Sequence, residues 1–196
     1  MRFWGRGVLL GNAAVSLRVA AALAQGAGAT GATHSRVYRE EIRIAVSDSG
    51  DHFVTEQQTA WRIQAPDTLV LLVDSTLRVV RVAIDGRRSS WGRAGPEVVI
   101  PQHGSVGDTL VTRVRFHGLP NGHNWFAIPR DTPDLAPLQL AVEVPPGVKP
   151  ATDEMSKAVL EGVDSLAYGR TNWRFRFPQP VALGRLRLEV ARLPSP

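Results

Sequence analysis

From Arg36 onward, apolar residues recur at every second position, the period that sends successive side chains of an extended chain to opposite faces. Ile42, Ile44 and Val46 alternate with Arg43, Ala45 and Ser47. Phe53 opens a second run that resumes at Trp61 and Ile63, and Leu69 to Val73 is apolar on both faces, as a central strand would be. Val80, Val82 and Ile84 alternate with Arg81 and Ala83, and Asp85-Gly86 supplies the pair favoured in a tight turn. Val98 to Ile100 follows, then Leu110, Thr112, Val114 and Phe116 against Arg113, Arg115 and His117. Leu138, Leu140, Val142 and Val144 alternate with Gln139, Ala141 and Glu143 and stop at Pro145-Pro146-Gly147. Trp173, Phe175 and Phe177 face Asn172, Arg174 and Arg176, and Leu186, Leu188 and Val190 face Arg185, Arg187 and Glu189. The pattern predicts an all-β domain over 34–196, an antiparallel β-sandwich or saddle-shaped sheet of about eight or nine short strands. At most one short helix interrupts it, from Asp153 to Gly162, with Thr152 or Asp153 as N-cap and Gly162 as its stop.

Composition changes this picture at the N-terminus. Residues 1–33 hold Arg2 and Arg6, an apolar stretch from Val8 to Ala24, and then small residues, which is the order of a secretory signal peptide. Ala22-Leu23-Ala24 fits a signal peptidase, so cleavage is expected after Ala24, and an exported, periplasmic or extracellular protein is expected to result. The uninterrupted apolar segments fall short of the ~20 residues that cross a bilayer, so no stable membrane span is predicted. The 196 residues include no Cys, which excludes disulfides, thiolate metal sites and cysteine nucleophiles. The formal charge is +5, but Arg2, Arg6 and Arg18 lie in the leader without an acidic residue, leaving 20 basic against 18 acidic residues in the body. So even a balance predicts no nucleic-acid partner.

Reactive constellations are sparse. The histidines (His34, His52, His103, His117, His123) never form the His-x-x-x-His pair that places two imidazoles on one helix face, so no metal site is expected. Ser105, in Gly104-Ser105-Val106-Gly107, reads as a turn before the strand at Leu110 rather than as a nucleophile elbow. Asp48, Asp51 and His52 lie in a segment that reads as a hairpin loop. Glu40-Glu41 and Asp153-Glu154 are adjacent pairs of a solvated surface rather than opposed acid and base. No catalytic residue and no cofactor is predicted. Trp61 and Trp173 are expected in the core, whereas Trp125, beside His123 and Asn124, is the aromatic most suited to a contact surface.

The order of these segments resembles a family. Thr68 to Gly86 is similar to the pair of strands ending in Val-x-Val-Asp-Gly in the N-terminal domain of aminopeptidase N-type zinc peptidases. Gly107 to Gly118 resembles that domain's next long strand, which ends in an aromatic, a variable residue and Gly. Trp125-Phe-Ala-Ile-Pro-Arg-Asp-Thr-Pro133 resembles its Trp-Phe-Pro-x-x-Asp-x-Pro element. Leu138 to Gly147 is similar to the strand ending in Val-Pro-x-Gly, and Trp173 to Pro178 to the Thr-Trp-x-Trp/Phe strand near the domain's end. The likeness runs from Tyr38 to Leu193.

In that family the zinc-binding His-Glu-x-x-His helix and the Gly-x-Met-Glu-Asn strand belong to the following domain, and this sequence reaches Pro196 without either. The connection from Gly118 to Trp125 is short, Ala127-Ile128 lengthens the Trp-Phe-Pro element, and Lys149 to Met155 lacks the usual Ser-Asn-Gly. The resemblance implies an exported, non-catalytic domain that binds or docks, its partner a separate peptidase catalytic subunit or a peptide ligand. Because the family's domain borders the substrate cleft, the implied contact surface is Asn124, Trp125, Arg130 and Asp131. A small exported carbohydrate-binding module or hydrolase is the alternative.

Overall fold

The computed structural model describes residues 35–65, 68–119, 125–130, 136–152, 157–181, 183 and 186–192. The leader, with its expected cleavage site at Ala24, lies outside the described residues. The strands are β1 (Arg36–Val46), β2 (Phe53–Arg62), β3 (Leu69–Leu72), β4 (Arg78–Ile84), β5 (Arg87–Arg88), β6 (Gly92–Ala94), β7 (Glu97–Ile100), β8 (Thr109–Gly118), β9 (Ile128–Pro129), β10 (Ala136–Val144), β11 (Val148–Thr152), β12 (Val159–Ser165), β13 (Thr171–Val181) and β14 (Leu188–Arg192). The excess over the expected eight or nine comes from β5, β6, β9 and β11, pieces of two to five residues too short to carry a period of their own, and from the seven-residue β12.

Eight strands form one sheet in the order β12-β13-β10-β1-β2-β8-β4-β5. Four form a second, β6-β7-β3-β9, and β11 pairs with β14. The sandwich core is built from the alternation itself. Ile42 and Ile44 of β1, Val114 and Phe116 of β8, Leu138, Leu140 and Val142 of β10, and Phe175 and Phe177 of β13 share one buried cluster with Leu69, Leu71, Val98 and Ile100 of the smaller sheet. Leu69 to Leu72 is central, as expected, between β7 and β9. Trp61 is buried as expected, its indole N–H donating to Thr112 Oγ1 at 2.9 Å. Trp173 packs at the margin of the core, stacked on Phe175 with ring centroids 6.5 Å apart. Asp85 (φ 48°) and Gly86 (φ 78°) both take the positive φ that a two-residue hairpin loop with strand-matching twist requires.

The all-β sandwich is as expected, and four details of it need correction. The large sheet is mixed, because β1 and β10 run parallel while every other pair is antiparallel. Strands so far apart in the chain are free of the hairpin that enforces antiparallel pairing. The segment given to a helix extends instead into β12, where Val159 to Ser165 pair with β13; residues 153–156 lie outside the described set. The β-branched Val159 and Val163 favour the extended pairing with β13. A β-bulge between Val79 and Arg81 breaks the period in β4, so Val79 and Val82 are buried while Val80 is 44% exposed. A second bulge, between Val37 and Arg39, turns Tyr38 out and leaves Glu40 on the core side with Ile42.

Candidate functional site

Of the residues expected to form a contact surface, Asn124 and Asp131 lie outside the described set. Trp125 requires a correction. Its side chain is 2% exposed and packs on Phe53, ring centroids 4.4 Å apart and tilted by 36°. Polar neighbours in sequence suggested a surface position, but the backbone of this segment is drawn onto the inner face of the large sheet. Gln57 accepts the Ala127 N–H on Oε1 at 2.8 Å and donates from Nε2 to the Ala127 carbonyl at 2.7 Å. Thr55 Oγ1 donates to the Trp125 carbonyl at 3.2 Å, and β9 then pairs with β3. Arg130 follows at the surface, its amide donating to Val70 O at 2.9 Å and its guanidinium to Glu97 Oε1 at 2.6 Å. The four residues therefore present no common described surface: one is core and one is fixed to β7.

Beneath this segment lies a buried polar cluster. Thr55, Gln57 and Thr59 occupy the inner face of β2 between Phe53 and Trp61, opposite Glu40 of β1 and Thr112 of β8. Glu40 Oε2 accepts from Thr59 Oγ1 at 2.9 Å and from Gln57 Nε2 at 3.3 Å, while its Oε1 has no partner among the described residues. Removal from water, only partly offset by these two hydrogen bonds, pushes the carboxyl up to about 8, so Glu40 is largely protonated at neutral pH. Residue types in the sequence concealed it, because an adjacent Glu pair reads as surface. The period did carry the signal, since Glu40 shares the parity of Ile42, Ile44 and Val46.

The opposite, outer face of the large sheet is an open groove of about 710 Å³ lined by side chains such as Arg43, Val54, Glu56, Arg115, Ala141 and Arg174. Its charges are ordered by strand. Toward β12 they are matched: Glu41 receives both Arg43 (2.9 Å) and Arg39 (3.1 Å), Arg174 meets Asp164 at 3.0 Å, and Arg176 meets Glu161 at 2.7 Å. Toward β4, Glu56 receives Arg113 at 3.3 Å, and the other exposed cations of β4 and β5 form no ion pair among the described residues. The remaining candidates are absorbed by turns. Asp51 closes the β1–β2 hairpin through Ser49, His52 and Ser47, which hold its carboxyl well below the usual range, and Asp48 binds Arg170. Ser105 lies in the turn before β8, its amide donating to Asp108 Oδ2 at 2.7 Å. His117 sits at the end of β8, and His123 lies outside the described residues. Among the described residues no three His, Asp or Glu side chains converge closely enough to hold a metal ion.

No family model matches the chain, and neither does any curated protein. Solved structures do match its fold. The M1 zinc metallopeptidase from Deinococcus radiodurans superposes with a TM-score of 0.67 at 18% identity, over 82% of this chain and 43% of that chain. A mutant of the same metallopeptidase bound to a Tyr-Ser-Ala substrate gives a TM-score of 0.66 at 17% identity, over 81% and 43%. A two-domain M1 zinc metallopeptidase bound to L-tryptophan gives 0.67 at 18% identity. The chain thus has the fold of part of an M1 zinc metallopeptidase and spans less than half the length of the structures it matches.

Proposed function

We propose that this polypeptide is an exported, non-catalytic β-domain that docks onto a peptidase catalytic subunit or borders its peptide-binding cleft. The observation that carries the reading is the fold, matched over 82% of this chain to 43% of an M1 zinc metallopeptidase. The described residues add no converging metal-ligand group of their own. Peptide hydrolysis by metal requires such ligands to hold the ion that activates water. Since a matching metallopeptidase binds a Tyr-Ser-Ala substrate, the ligand class proposed for the assembled cleft is a short peptide.

The test is reconstitution. Purified chain is incubated with aminoacyl chromogenic substrates and zinc, alone and with a separately produced His-Glu-x-x-His subunit from the same source. The expected result is no turnover alone, and a shift in KM or kcat of that subunit once the chain is added. Zinc-dependent turnover by the homogeneous chain would overturn the non-catalytic reading, and an unchanged subunit would overturn docking. Export is checked separately by N-terminal sequencing of the mature protein, which is expected to begin at Gln25.

A further inference from the structure

On the outer face, residues paired in register across β5, β4 and β8 place arginines in successive rows. Ala83 lies between Arg88 and Arg113, Arg81 stands directly opposite Arg115, and Arg78 opposite His117. All five arginines are exposed. Arg113 meets Glu56 at 3.3 Å, and Glu56 also stands in register opposite Arg115, whereas Arg78, Arg81 and Arg88 have no carboxylate partner among the described residues. The one other carboxylate of these strands' turn, Asp85, faces β8's backbone and accepts the Val111 N–H at 2.9 Å. Like charges directly opposed on a sheet are destabilising, so this corner is unfavourable as it stands and is relieved by a negative partner.

We propose that the β4–β5–β8 corner is a docking strip for an extended acidic segment of a partner protein, carrying Asp or Glu at alternate positions. Rows two residues apart along a strand are spaced by about 7 Å, the spacing of alternate side chains in an extended peptide. Each carboxylate can then take a two-pronged hydrogen bond from a guanidinium. The strip lies at the sheet border, since β5 pairs only with Ala83 and Ile84 and leaves Arg78 to Arg81 along the rim. The bulge there keeps Arg81 on the face of Arg115 while disturbing the regular ladder that would invite indiscriminate strand addition. Arg115 also lines the groove, so a segment on the strip continues into it. None of the residues facing out from β4, β5 and β8 in these rows is a Trp, Tyr or Phe, so the platform on which single-stranded nucleic acid stacks its bases is missing. The inference rests on charge and register alone and stands or falls separately from the peptidase-subunit reading.

The test uses the full chain and a fluorescein-labelled peptide of alternating Glu and Thr, with binding read by fluorescence anisotropy at low and physiological salt. Binding is expected at low salt and weakens as salt rises. The pair Arg81→Glu and Arg115→Glu is expected to weaken it about tenfold or more, with Arg81→Gln and Arg115→Gln as the milder version should the reversal not fold. Arg36→Glu with Arg62→Glu makes the same charge change at the far end of the sheet and is expected to alter affinity less than about twofold. A peptide with the same Glu residues in one block is expected to bind several-fold more weakly. Absence of binding at low salt, or equal losses in the two arginine pairs, would overturn the proposal. So would tighter binding at the strip by a sulfated polysaccharide, a single-stranded oligonucleotide or anionic phospholipid vesicles.

Discussion

The two neighbours of β1 are built on opposite principles. On one side β10 turns Leu138, Leu140, Val142 and Val144 inward, all buried and all apolar, and β13 continues with Phe175 and Phe177. On the other side β2 turns Thr55, Gln57 and Thr59 inward, and Glu40 of β1 itself joins them. Both flanks are equally dry. The apolar flank is held by burial, and any side chain of suitable size and rotamer serves it. The polar flank is held by a particular set of donors and acceptors, whose worth depends on every member being satisfied. Burial alone therefore does not define the core of this sandwich; one half is set by shape and the other by hydrogen bonding.

Breaking the apolar flank is expected to cost most. Leu140→Ala, at a side chain 1% exposed, should lower the unfolding free energy by about 2 to 5 kcal/mol, read from the midpoint of urea denaturation. The polar flank should reveal itself by pH. Glu40 is raised to about 8 in the fold from 4.5, so the native state holds its proton where the unfolded chain has released it. Its contribution is full below about pH 4.5, declines through the interval, and is gone above about pH 8. A loss of the order of a few kcal/mol across that window is expected, and Glu40→Gln should abolish that part of the slope. A stability profile unchanged by the substitution would show that Glu40 is not protonated in the fold.

Gln57→Leu is next, at about 2 kcal/mol, because the Ala127 N–H and carbonyl lose their partner inside the core while the volume is nearly kept. It should also release Trp125, seen as a red shift in tryptophan emission and faster proteolysis near Ala127. The smallest effect is expected at the bulge: Val80→Thr should fall within about 0.5 kcal/mol of the natural protein, whereas Val82→Thr, at a side chain 1% exposed, should cost clearly more. Equal costs at the two sites would mean that the β4 register is wrong.

The same contrast explains what the sequence revealed. The apolar flank announced itself, since Leu138 to Val144 and Trp173 to Phe177 keep a clean period of two, and Asp85-Gly86 names its own turn. The polar flank did not, because Thr, Gln and Glu at interior positions carry the right parity and the wrong chemistry. Trp125 was misplaced for a related reason: its inward turn is fixed by Gln57, some distance away in the chain, rather than by Asn124 beside it. The bulge at Val79 to Arg81 is a one-residue event inside an otherwise regular run and leaves no compositional mark. The groove and its unmatched arginines were legible only as outward residues; their mismatch is a property of which strands lie side by side, and that order is set by the antiparallel β8–β4–β5 pairings.

The parallel pairing of β1 with β10 sets how the chain must assemble. On either side of it lie antiparallel neighbours, among them the β1–β2 and β12–β13 hairpins, whose partners meet soon after one another along the polypeptide. The seam between β1 and β10 joins segments from opposite halves of the sequence, and its closure entropy is met only once both halves have formed. Of the pairings in the large sheet this seam spans the longest stretch of chain, which makes its zippering the slow step, and until it closes, each half exposes the edge that the finished sheet hides.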